Sequence, residues 1–143
     1  RKAIAPLLDV LRNHPRVRGA LHAYSGSFEQ VRPLLDREIY IGVGGAVTRS
    51  RAKRVRTCAA ALPLDRILLE TDAPAIGMDI IEPPSVRPAH LPRVLQALAE
   101  LRGLSQGELE TITDHNAKRL FRVPPDTTPG KPCLTHGSNA PSA

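Results

Sequence analysis

The stretch RILLETDAPAIG, residues 66–77, runs apolar Ile67, Leu68 and Leu69 straight into Glu70 and Asp72 and closes on Pro74. Carboxylates at the end of a buried apolar run are costly unless they are solvated, paired or bound to a metal. Two other stretches also end in residues able to do chemistry. GALHAYSG, residues 19–26, delivers His22 and then Ser25 and Gly26, and IYIGVGG, residues 39–45, delivers Gly42, Gly44 and Gly45. Imidazole nitrogen and carboxylate oxygen ligate divalent ions, and both take part in proton transfer. A histidine and an aspartate at neighbouring strand ends, with glycines between, make a candidate divalent-metal or acid–base site. Two plainer roles compete: His22 as a hydrogen-bonded core residue, and Asp72 as the cap of the turn after it.

The elements that must position these residues alternate along the chain. AIAPLLDVLRNH carries Ile4, Leu7, Leu8 and Leu11 at helical spacing. The strand of His22 follows, then FEQVRPLLDR as a helix in which Pro33 is a weak point or a kink. IYIGVGG is a strand closed by glycines. SRAKRVRTCAAALP places Ala52, Val55, Ala59 and Leu62 on one helical face and stops at Pro63. The third strand, residues 66–70, leads into a proline-rich loop, then a helix with Leu91, Val94, Leu95, Leu98 and Leu101 on one stripe. A last helix opens with Ser105 and Glu108 in capping-box spacing. The order α, β, α, β, α, β, α, α implies an α/β fold with parallel βαβ units and both faces of the sheet covered. Three strands for so many helices make an incomplete sheet. In such folds ligands sit at the carboxyl ends of strands, where His22 and Asp72 fall.

Composition narrows the classes. The chain has 143 residues, one domain by size, and 41% are apolar. Aromatics are 3% and tryptophan is absent, so the core rests on Leu, Val, Ile and Ala. The net charge of +6 favours anionic partners such as nucleic acid or phosphates. Cys58 and Cys133 fit no metal or redox spacing, which argues for a reducing compartment, hence the cytoplasm, and no disulfide framework. No run of about 18 apolar residues predicts a membrane span. From Pro124 onward, PPDTTPGKPCLTHGSNAPSA has almost no bulky apolar residue, so residues 124–143 are expected to be a disordered tail on a domain of residues 1–123. The tail charges, Asp126 and Lys131, cancel, so the positive charge belongs to the body.

LHAYSGS at 21–27, IYIGVGG at 39–45, LLETDAP at 68–74 and NAKRLF at 116–121 resemble, in the same order, motifs of the TatD family of metal-dependent hydrolases. The resemblance implies a TIM (β/α)8 barrel of the metal-dependent hydrolase type. It also implies two divalent ions per complete site (Mg2+, Zn2+ or Mn2+) and deoxyribonuclease or phosphodiesterase activity on DNA. His22 falls on the histidine of the family's H-x-F/Y-S-G motif, a metal ligand. Asp72 falls on the aspartate of E-T-D-A-P, which binds the other metal and orients the attacking water. The family's H-x-H pair, bridging glutamate and a further histidine have no counterpart from Arg1 onward. The chain is therefore expected to be the C-terminal half of the barrel, lacking its N-terminal half as a partner, with weak metal binding and little activity alone.

Glu70 reads as a structural partner at the barrel rim, with orientation of a neighbouring side chain or contact to substrate as the alternatives. Ser25 and Gly26 are candidate substrate contacts through backbone N–H groups, or simply a turn. Gly44 and Gly45 read as a tight turn. The run RSRAKRVR, 49–56, carries Arg49, Arg51, Lys53, Arg54 and Arg56; a phosphate-backbone contact, with Arg49, Arg51 and Lys53 as the candidate nucleic-acid contacts, competes with a solvated helix face. His14, His90, His115 and His136 have no convergent partners, and Asn116 reads as structural. Two rival functions stand beside the hydrolase: a non-catalytic basic nucleic-acid-binding module, and a non-functional truncated remnant.

Overall fold

A computed structural model describes residues 4–124. The expectation for the tail, Pro124 aside, falls outside the described residues, as do Cys133 and His136. The elements follow the order read from the sequence: α1 (Ile4–Asn13), β1 (Gly19–Leu21), α2 (Phe28–Leu35), β2 (Ile39–Val43), α3 (Lys53–Ala61), β3 (Ile67–Leu69), α4 (Leu91–Arg102) and α5 (Gln106–Phe121). The helix α2 continues through Pro33, which costs it the one backbone donor that proline lacks.

Among the described residues the three strands form one parallel sheet in the order β1-β2-β3. Leu21 lies opposite Ile41, and Ile41 opposite Ile67. All five residues of β2 are buried, as expected of a central parallel strand covered on both faces. Side chains alternate between faces, so Ile41, Val43 and Ile67 share one face. There they join Val31, Val47, Leu62, Val94, Leu98 and Leu109 in the main core. A smaller cluster of Leu11, Leu34 and Ile39 seats α1 against α2 and β2.

Polar side chains fix the helix ends. Ser105 accepts from the Glu108 N–H at 3.2 Å while Glu108 accepts from the Ser105 N–H at 2.9 Å, the expected capping box. Arg102 of α4 donates to the carbonyls of Ala59, Ala60 and Leu62, which satisfies the C-terminal end of α3. Asn116 of α5, 1% exposed, donates to the carbonyls of Leu64 and Ile67, both at 2.8 Å. This ties the last helix to the start of β3, the strand that carries the acidic pair. No helix among the described residues is long and apolar enough to cross a membrane.

Candidate metal and acid–base site

The strand ends bring His22, Glu70 and Asp72 together. His22 follows β1, and the two carboxylates follow β3. His22 Nε2 lies 2.6 Å from Asp72 Oδ1, and His22 Nδ1 lies 2.5 Å from Glu70 Oε2. The second Glu70 oxygen accepts from the Ala23 N–H at 2.6 Å. The imidazole is 59% exposed, so His22 is not a core histidine, while Glu70 and Asp72 are 16% and 24% exposed. The turn after β3 is closed by the Asp72 backbone carbonyl, which accepts from Ala75 at 2.7 Å and Ile76 at 3.2 Å. The Asp72 carboxylate is thereby left to face the imidazole rather than capping the turn. Asp72 (φ +52°) and Ala23 (φ +48°) both adopt left-handed backbone, a conformation that costs about 1–3 kcal/mol at a non-glycine residue.

Two carboxylates on one imidazole favour its protonated form. The hydrogen bond to Asp72 raises the His22 pKa most; partial burial opposes it, and the hydrogen bond to Glu70 raises it further above the ordinary 6.5. A raised folded-state value means that the unfolded state releases its proton first as pH climbs. The stabilisation is therefore fully present below about pH 6.5 and is lost as pH rises through the folded value. In chelator-treated protein, thermal melts are expected to fall across that interval, and His22→Gln is expected to remove that component of the fall. A pH profile identical in the two proteins would contradict the clamp.

The donor types fit a divalent ion: a neutral imidazole nitrogen and a carboxylate oxygen suit zinc, manganese or magnesium. Their number is short. Among the described residues no group of three His, Cys, Asp or Glu side chains is disposed to hold a metal ion. A divalent shell ordinarily holds roughly three or four protein ligands, more than the pair His22 and Asp72 offers.

A cavity of about 220 Å³ opens beside His22, lined in part by Tyr24, Ser25, Gly26, Gln30 and Arg54. Ser25 and Gly26, the candidate substrate contacts, line this cavity. A Cβ at Gly26 would overlap the Tyr24 hydroxyl, which donates to the Ser27 carbonyl at 2.7 Å, so this glycine also makes room for the tyrosine. Of the basic run, the structure places Arg54 in this cavity rather than Arg49, Arg51 or Lys53. Arg49 extends towards Gly77, Arg51 is exposed, and Lys53 lies on a surface groove with Arg56 and Leu101. Gly44 packs under the Glu70 side chain and Gly45 against Met78 and Gly77, so each answers to a close neighbour as well as to the turn. The sequence offered the orienting role of Glu70 only as an alternative and gave Arg54 no place apart from the rest of the basic run. The available signal for Glu70 was the pair of glycines on the adjacent strand.

A family model described as TatD related DNase matches residues 1–122. The uncharacterized metal-dependent hydrolase YabD of Bacillus subtilis is 35% identical over 107 residues, covering 75% of this chain and 42% of the relative. The 3'-5' ssDNA/RNA exonuclease TatD of Escherichia coli K12 is 37% identical over 125 residues, covering 84% of this chain and 46% of the relative. Among solved structures, the TatD homologue YjjV of Escherichia coli K12 superposes with a TM-score of 0.79 at 36% identity, covering 87% of this chain and 48% of that one. The chain spans less than half the length of these relatives.

Proposed function

The chain belongs to the TatD related DNase family, and on that premise we propose that it is the metal-binding and phosphate-contacting portion of a hydrolase acting on single-stranded DNA or RNA. The observation that carries the reading is His22 Nε2 set 2.6 Å from the Asp72 carboxylate at the carboxyl end of a parallel sheet. Relatives named as metal-dependent hydrolases and as an ssDNA/RNA exonuclease support it.

In this reading the sheet continues into a (β/α)8 barrel, of which β1 to β3 are the last part. The remaining ligands come from the portion of the relatives' length that this chain does not span. His22 Nε2 would hold one divalent ion and Asp72 the other. When bound, such ions supply Lewis-acid activation of water and neutralise charge on the phosphoryl oxygens. Asp72 would orient the attacking water and take its proton. Backbone N–H groups of Ser25 and Gly26 and the Arg54 guanidinium receive the phosphate in the cavity beside His22. Arg49, Arg51 and Lys53 contribute at longer range, as part of the positive field that draws a polyanion to the sheet's carboxyl end.

The test is metal-dependent release of nucleotides from single-stranded DNA. Three proteins are compared: this chain alone, the chain fused behind the missing portion of the Escherichia coli relative, and that fusion without added metal. Turnover is expected only in the metal-supplied fusion, with the chain alone near background. A folded, metal-loaded fusion inert on both DNA and RNA would sink the reading. In the same fusion, Arg54→Ala is expected to raise KM about tenfold and to lower the salt dependence of binding by about one counterion, with kcat little changed. An unchanged KM would remove Arg54 from the substrate path.

A further inference from the structure

His22 and Glu70 meet across an intervening strand, and we infer that Glu70 is the positioning residue of this site: its carboxylate holds His22 so that Nε2 is presented beside Asp72, and Gly42 and Gly44 let that carboxylate cross β2. The inference rests on the proposed metal site and adds a residue to its working parts.

Strands β1 and β3 flank β2, so with a spacing of about 4.8 Å between neighbours their backbones stand nearly 10 Å apart. A side chain from one end must cross β2 to reach the other. The register sets the crossing point. Leu21 pairs with Ile41, which puts His22 level with Gly42; Val43 pairs with Leu69, which puts Glu70 level with Gly44. The Glu70 N–H extends that ladder by donating to the Val43 carbonyl at 3.1 Å. Gly42 and Gly44 are two residues apart, hence on one face of the sheet, and the Glu70 side chain lies over both. A Cβ at Gly42 would overlap the Glu70 carboxylate, and one at Gly44 would stand 3.3 Å from its Cγ. Any other residue at position 42 therefore closes the path.

Both carboxylate oxygens are engaged on the far side. One meets His22 Nδ1 at 2.5 Å and the other accepts the Ala23 N–H at 2.6 Å. The second bond anchors the left-handed turn that aims the imidazole (Ala23 φ +48°). The first places the ring proton at Nδ1 once a metal takes the other nitrogen, leaving the Nε2 lone pair as the donor. A carboxylate behind a ligating histidine fixes its tautomer and its orientation. Aspartate at position 70 is one methylene too short to span the strand. Glutamine keeps the reach, but its single carbonyl oxygen serves only one of the two N–H groups.

The experiment uses the full 143-residue chain labelled with 15N-histidine, with Zn2+ as the probe. Two quantities are read: the imidazole nitrogen resonances of His22, which report its tautomer, and the Zn2+ dissociation constant. In the unsubstituted chain, saturating Zn2+ is expected to give a protonated Nδ1 and a metal-shifted Nε2. Glu70→Asp and Gly42→Ala are each expected to lose the fixed tautomer and weaken Zn2+ about 10- to 100-fold. Glu70→Gln, the near-isosteric variant that keeps the test decisive should the others unfold, is expected to fall between. Gly19→Ala, whose added Cβ meets open space, leaves both quantities unchanged. Retention of tautomer and affinity in folded Glu70→Gln and Gly42→Ala, with binding abolished by His22→Ala, overturns the positioning role and leaves the metal site standing. Zn2+ binding that survives His22→Ala overturns both.

Discussion

Asp72→Asn is expected to lower hydrolysis of single-stranded DNA by about 10²- to 10⁴-fold in a protein that carries the complete ligand shell. Two losses combine. The carboxamide is a poorer ligand for a hard divalent ion, and it cannot take a proton from water. The fold is expected to survive, for reasons visible locally. Asparagine tolerates the left-handed backbone found at position 72 (φ +52°) as well as aspartate does. Its near-isosteric carboxamide can still stand against His22 Nε2, and the turn is closed by the backbone carbonyl rather than by the carboxylate. Rate and melting temperature measured on the same preparation separate the effects. A fall in kcat with an unchanged melt matches this account; an unchanged kcat removes Asp72 from the chemistry.

Asn116→Asp carries the largest expected loss of stability. The Asn116 amide is 1% exposed and donates to two backbone carbonyls that no other described side chain reaches. The near-isosteric aspartate replaces those donors with acceptors. Protonation would restore one donor; ionisation would leave a buried charge facing two carbonyl dipoles. The Leu64 carbonyl keeps the Ile67 N–H as a donor, so the cost comes chiefly from a carboxylate left buried and uncompensated against carbonyl oxygens; a loss of about 3–5 kcal/mol is expected, a large share of the roughly 5–15 kcal/mol that holds a domain folded. Asp114→Asn, the reverse swap at an exposed position on the same helix, is the control and is expected to change stability by less than about 0.5 kcal/mol. Urea unfolding of both variants reads the difference directly. Equal midpoints would show that α5 is not held through Asn116.

Most of the architecture was legible because it rests on local periodicity. Helices with apolar stripes and strands bounded by glycine or proline emerge in the expected order, and their alternation implies the parallel sheet that is observed. The pairing of His22 with Asp72 was legible for the same reason: both fall at the carboxyl ends of parallel strands, and such ends share one edge of the sheet. What escaped depends on contacts between distant positions. The glycines at 42 and 44 look like turn residues in one dimension, yet each lies beneath Glu70, which comes more than 25 positions later. Glu70 and Asp72 are two apart, which in a regular strand would set them on the same face. The left-handed backbone at Asp72 breaks that pattern and sends the two carboxylates to opposite nitrogens of one ring. Arg54 was not singled out from the other cations of its run because consecutive cations are separated only by the phase of a helix, about 100° per residue, and that phase depends on where α3 begins.

Binding of Mn2+ to the chain itself tests the metal site most directly, because a paramagnetic ion broadens the resonances nearest to it. Amide signals from Leu21 to Ala23 and from Leu69 to Ala73 are expected to broaden first as Mn2+ is added. The broadening is expected to be displaced by Mg2+ and to vanish in a His22→Ala, Asp72→Asn double variant. Broadening that centres elsewhere in the chain, or that persists undiminished in the double variant, would contradict a metal site at His22 and Asp72.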